Sequence, residues 1–148
     1  MTTQHIQLAI KADPGDVWNA LVDGALTPAY YVGFQAEFDL EAGKPYRYTA
    51  GGGDMITGTV VEVDHGSRLV TTFNGHWDPA VDALDESTVT FSLLEPFMPM
   101  PGVTFLSCRH EGLDDSDAAA GIEVGWVSIL SGLKTLLETG SPMGGAPS

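Results

Sequence analysis

A chain of 148 residues with 43% hydrophobic side chains, 3 tryptophans, 4 tyrosines and 6 phenylalanines has room for one core and one pocket, and its apolar content argues against disorder. Twenty acidic residues against six basic ones give a formal charge of −14, a field that repels phosphates and anionic headgroups, so no nucleic acid partner is expected. The first residues, MTTQHIQLAI, show no basic segment ahead of a long apolar stretch, no apolar run approaches the roughly 18 residues of a membrane span, and a lone cysteine can form no internal disulfide, so a cytoplasmic protein with no membrane association is expected.

His5 to Ile10 alternates, with Ile6, Leu8 and Ile10 on one face, and reads as a half-buried strand. In the following ADPGDVWNALVD, Asp13 is an N-cap, Pro14 fits the first helical position, and Val17, Trp18 and Leu21 form an apolar stripe. A short helix ending near Asp23-Gly24 is expected, then a second helical turn from Thr27-Pro28 carrying Tyr30 and Tyr31. From Phe34 the period changes to two. Phe34/Ala36/Phe38, Tyr46/Tyr48, Met55 to Val63, Leu69 to Phe73, Ser87 to Leu94 and Val103 to Glu111 read as six strands, separated by turn-rich segments such as EAGKP, AGGGD and DHGSR. Links this short require antiparallel neighbours. After the polar gap LDDSDAAAG, the segment GIEVGWVSILSGLKTLLETG places Ile122, Trp126, Ile129, Leu133, Leu136 and Leu137 on one stripe, a long helix that covers an apolar sheet face and stops at Gly140 and Pro142. One domain over residues 1–140 is expected, with a disordered tail from 141 to 148.

A strand, a helical pair, six strands and a closing helix satisfy one another when the antiparallel sheet curls and the last helix lies across its concave side. This order resembles the helix-grip, or START-like, fold, of the α+β class, in the branch related to the C-terminal domain of the activator of the Hsp90 ATPase. DPGDVWNALVD is similar to that family's first helix, GTVVEVDHGSRLVTTF to its central hairpin, STVTFSLLEP to its next strand, TFLSCRHEG to its Thr-x-Leu-x-x-x-His-x-Gly strand and GWVSILSGLKTLLE to its last helix. The resemblance runs from about Ile6 to Glu138. The chain departs from the family's commonest pattern at Tyr30-Tyr31, where a tryptophan is usual, in the enlarged hairpin PFMPMPG, and at Cys108, where an aliphatic residue is usual.

TFLSCRHEG gathers cysteine, arginine and histidine, yet strand alternation turns Leu106, Cys108 and His110 inward and Arg109 away. Cys108 therefore lacks the cation that would activate a thiol and reads as a small buried hydrophobe. His110 is either held for packing or offers a pocket a polar contact. His5, His65, His76 and His110 show no ligand spacing, so no metal is expected, and no cofactor or catalytic residue is assigned. GGGDMITG lacks the Lys-Ser/Thr of a phosphate loop and reads as a hairpin turn.

Aromatic side chains from separate elements are the residues that stand out. In a helix-grip arrangement Tyr31, Phe38, Tyr48, Phe73, Trp77, Phe91, Cys108, His110, Trp126 and Leu130 would surround a space between sheet and closing helix, filled by side chains or open to a hydrophobic or aromatic small molecule. Ligand binding is the expected function. The resemblance also implies a cyclase or aromatase acting on a polyketide-type substrate, a resistance protein capturing a reactive natural product, or a chaperone-associated role like that of the Hsp90 activator, whose full form uses sequence beyond this. PFMPMPG, Pro96 to Gly102, is apolar where a hairpin tip is normally polar, and is expected to cover the cavity mouth, to join two copies in a homodimer, or simply to pack on itself as a loop.

Overall fold

The computed structural model describes residues 2–144. Seven strands, β1 Thr2–Ile10, β2 Gln35–Phe38, β3 Pro45–Ala50, β4 Gly53–Asp64, β5 Arg68–Gly75, β6 Ser87–Leu94 and β7 Thr104–Leu113, form one antiparallel sheet in the order β1-β7-β6-β5-β4-β3-β2. From β2 to β7, neighbours in sequence are neighbours in space, because the links are too short for a crossover. Only β1 departs. It pairs with β7, setting Ile6 opposite Cys108 and Gln4 opposite His110. Register shifts at Tyr48/Thr49 in β3 and between Val60 and Glu62 in β4 are bulges that bend the sheet.

Helix α1, Pro14–Val22, and a 3-10 turn, Thr27–Ala29, fill the link from β1 to β2. Asp13 stands at the N-cap as expected, but its backbone carbonyl makes the capping bonds, to the amides of Asp16 and Val17, while its side chain makes none. Val17, Trp18, Ala20 and Leu21 bury the inner face of α1. Gly24, just past the helix, lies so close to β2 that a Cβ there would stand 2.1 Å from the Ala36 carbonyl oxygen.

The closing helix, α3, spans Asp117–Thr139 and so begins four residues before Gly121, where its apolar periodicity first shows. Its true start is Ser116, whose hydroxyl accepts from the Ala119 amide at 3.2 Å, and it ends at Gly140, in the left-handed conformation at φ 80°. Ile122, Trp126, Ile129, Leu130 and Leu133 bury one stripe against the concave sheet face. Among the described residues α3 alone is long and apolar enough to cross a membrane by length and composition, with mean hydropathy 1.3 over the qualifying window. Here it is the core helix that the sheet wraps.

A four-residue helix, α2 Pro79–Asp82, was not expected from periodicity, being too short for a stripe. Its start repeats that of α1, an aspartate followed by proline, and Asp78 accepts from the Ala80 amide at 2.8 Å. The hairpin turn expected in GGGDMITG is present, with positive φ at Gly51 and Gly52. Of the tail expected to be disordered, residues 145–148 lie outside the described residues.

Candidate ligand-binding site

Elements from both ends of the chain enclose a cavity of about 360 Å³ at one end of the grip. The turn after the 3-10 segment supplies Tyr31, Val32 and Phe34, the start of β4 supplies Met55 and Ile56, and the end of β5 brings Phe73 and, just beyond it, Trp77. Helix α3 closes the space with Gly121, Ile122, Gly125, Trp126 and Ile129. The glycines are four apart, hence stacked on one helix face, and a Cβ added to either would meet no atom within 4 Å. The opening thus exists partly because two successive turns of α3 carry no side chain there. Val32 forms part of the rim with φ 46°, a left-handed conformation that is an outlier for a β-branched residue, and is more than half exposed.

Farther in, the space between sheet and helix is packed. A void of only about 10 Å³ remains among Phe38, Tyr46, Tyr48, Leu69, Val89 and Phe91, and Tyr31, Ile56, Phe73 and Trp126 wall both it and the larger cavity. Trp126 is the partition, with ring centroids 6.0 Å from Tyr31, 5.8 Å from Phe91 and 6.4 Å from Phe73. Of the ten residues expected around a pocket, Tyr31, Phe73, Trp77 and Trp126 reach the open cavity. Tyr48 and Phe91 line only the inner void, Phe38 lines that void and an outer groove beside β2 and β3, and Cys108, His110 and Leu130 line neither the cavity nor the void. Val32, Phe34, Met55, Ile56, Gly121, Ile122, Gly125 and Ile129 also line it and were not among the ten. Ile122 and Ile129 left a signal in the stripe of α3, and the glycine pair in its helical spacing of four.

His110 is fully buried and serves the partition. The Trp126 indole donates to His110 Nδ1 at 3.0 Å, so the proton of the neutral ring sits on Nε2, which donates to Ser87 Oγ at 2.7 Å, and Ser87 donates onward to the Phe73 carbonyl at 3.4 Å. Burial lowers the His110 pKa to about 4, which keeps this chain of donors in one direction at neutral pH. The packing role expected as one alternative is thus filled by side-chain partners. Cys108 is buried and its thiol is pushed well up by desolvation, an unreactive state.

Other polar clusters lie elsewhere. His76 bridges Asp82 Oδ1 and Thr57 Oγ1, each at 2.7 Å, and so ties α2 to β4 on the outer surface. An open groove of about 830 Å³ beside β2, β3 and β4 carries the exposed ion pairs of Arg47 with Glu37 at 2.9 Å and with Asp54 at 3.5 Å. Among the described residues no three His, Cys, Asp or Glu side chains are grouped to hold a metal. The tip Pro96 to Gly102 sits beside Pro14, Gly66 and Ser67, at the opposite end of the sheet from the cavity. It therefore does not cover the mouth, a correction to one of its expected roles. Phe97 is fully exposed, with Met98 and Met100 also exposed.

The profile of the family described as activator of Hsp90 ATPase homolog 1-like protein matches residues 11–138. The chain belongs to this family. The fold of this Hsp90-activator-like chain recurs in protein MLL2253 from Mesorhizobium loti, with a TM-score of 0.74 and 28% identity over 93% of this chain and 97% of that one. PFC0360w, an Hsp90 activator from Plasmodium falciparum, gives a TM-score of 0.74 at 20% identity, covering 93% and 97% of the two chains. DynU16, a protein in the dynemicin biosynthetic locus, gives 0.74 at 20% identity, covering 95% of this chain and 48% of that one. At such identities the last two share the fold alone. No curated protein matches the sequence significantly.

Proposed function

We propose that this protein binds a hydrophobic or aromatic small molecule in the cavity between α3, the Tyr31–Phe34 turn and the ends of β4 and β5. The observation that carries this reading is a space of about 360 Å³ against aromatic walls, kept open in part by the paired absence of side chains at Gly121 and Gly125. Glycine inside a helix costs roughly 1 kcal/mol relative to alanine, and the fold carries that cost twice where an added methyl would meet nothing. Affinity would come from burial of apolar area, at about 25 cal/mol per Å². The charge of −14 favours neutral or cationic ligands over anions.

Binding is preferred over turnover because the groups suited to moving protons stand behind the wall. His110 donates and accepts within the Trp126–Ser87 chain, and Cys108 touches neither space. This also weighs against covalent capture of a reactive natural product by the thiol. The neutral fluorophore N-phenyl-1-naphthylamine tests the reading. It should brighten and bind saturably to the native chain, and Gly125→Leu, which grows a side chain into the opening from a residue of good helix propensity, should weaken it at least ten-fold without lowering the melting temperature. Equal binding by the variant would remove the cavity as the site.

The protein is read as a single cytoplasmic domain over residues 1–140, with the tip Pro96 to Gly102 as a second contact surface, between two copies. Its support is the exposure of Phe97, Met98 and Met100 on one short uncharged segment.

A further inference from the structure

Three buried tyrosines, Tyr31, Tyr46 and Tyr48, wall the inner void, and Tyr30 lies beside Tyr31 with ring centroids 6.1 Å apart. Tyr30 donates to the Ala20 carbonyl at 2.6 Å, and Tyr46 donates to the Thr72 carbonyl. Tyr31 and Tyr48, each only 4% exposed, have no hydroxyl partner among the described residues. They are not sealed away either. The one buried side-chain polar atom among the described residues that is both unpaired and closed off is Gln4 Oε1, so both phenol oxygens still touch open space.

Buried hydroxyls nearly always find a partner, and an unpaired donor is costlier to the fold than a carbonyl or hydroxyl oxygen with a spare lone pair. The rings of Tyr31 and Tyr48 lie 4.5 Å apart, and both wall the void of about 10 Å³ behind the cavity. A space of that size admits about one water-sized polar atom. Tyr31, Ile56, Phe73 and Trp126 wall both spaces, so a ligand oxygen reaches the inner one by parting these side chains. Burial raises the pKa of both phenols well above the ordinary tyrosine value, and they stay protonated as donors. Among the described residues no lysine or arginine lines the cavity to neutralise a carboxylate.

We propose that the inner end of the cavity reads a hydrogen-bond acceptor, and that the ligand is a neutral, flat, apolar molecule whose carbonyl oxygen is held by the Tyr31 and Tyr48 hydroxyls. The inference rests on the binding role proposed above and adds the chemistry that orients the ligand. The apolar body occupies the 360 Å³ between α3 and β4, and the oxygen takes the position left for one small polar atom.

The matched probes 1-tetralone and tetralin differ by a carbonyl in place of a methylene. Calorimetric titration should show tetralone binding the native chain about ten-fold more tightly than tetralin, the gain expected for well-placed hydrogen bonds in a dry site. Replacing both tyrosines, Tyr31→Phe with Tyr48→Phe, should bring that ratio to about one. The carbonyl stretching band of bound tetralone should move to lower wavenumber in the native chain and return toward its apolar-solvent position in the double variant. Equal affinity of the two probes for the native chain would overturn the acceptor reading while leaving the cavity as a binding site. Failure of both probes to bind would overturn the cavity reading and this one with it. The single variants, each with its thermal transition recorded, serve if the double variant does not fold, and a preference unchanged in both would count against the pair.

Discussion

His110 shows how a single buried ring ties the fold to pH. Its pKa of about 4 in the folded chain lies below the ordinary value of about 6.5 that it recovers on unfolding, so between these values the unfolded chain binds a proton that the folded chain refuses. Its contribution is complete above about pH 6.5 and is lost as pH falls toward 4, at about 1.4 kcal/mol per unit and roughly 3 kcal/mol in all. Urea midpoints should therefore decline between pH 6.5 and 4.5, and the decline should be shallower in His110→Gln, which starts from a lower stability because Ser87 and Trp126 lose their shared partner. An NMR titration of the native ring with a midpoint near 6.5 would contradict this account.

At the scale of elements, α3 sets stability against space. Gly121→Ala and Gly125→Ala each restore helix propensity where the new methyl meets nothing, so each should raise stability by about 1 kcal/mol, read as a melting temperature higher by a few degrees. The same methyls enter the opening, and affinity for an aromatic probe should fall as stability rises. The elements themselves were largely legible in the sequence, because alternation over Ser87 to Leu94 or the stripe from Ile122 to Leu133 reports a face directly. Two starts were not. Ser116 caps α3 inside a polar stretch that reads as a gap, and Asp78-Pro79 opens a helix too short to show a period. Of the ten residues expected around a pocket four line the candidate cavity, since alternation tells which side chains turn inward but not which end of the grip they leave unfilled. Trp126 and Tyr31 were found because they are large and inward. The glycines were not, because an opening is made by what a residue lacks.

For the whole molecule, charge and shape act against each other at the hairpin tip. Two copies bearing −14 each repel at long range, while an uncharged tip with exposed Phe97 offers an apolar contact at short range. Self-association should thus be weak in low salt and strengthen as added salt shortens the Debye length. Sedimentation velocity between 20 mM and 500 mM NaCl should follow this trend, and Phe97→Ser should hold the chain monomeric throughout. Dimers that persist in the variant would move the interface elsewhere. Because tip and cavity occupy opposite ends of the sheet, the variant should leave probe affinity unaltered.

Trp126 faces the cavity with its ring while its indole nitrogen is tied to His110, which touches no open space. A molecule that shifts the ring even slightly must lengthen or bend that hydrogen bond, and through it alter the electron density at Nδ1. The protein consequently contains its own reporter of occupancy. The ¹⁵N resonances of a histidine that no ligand can reach would announce whether the space on the far side of the indole is filled.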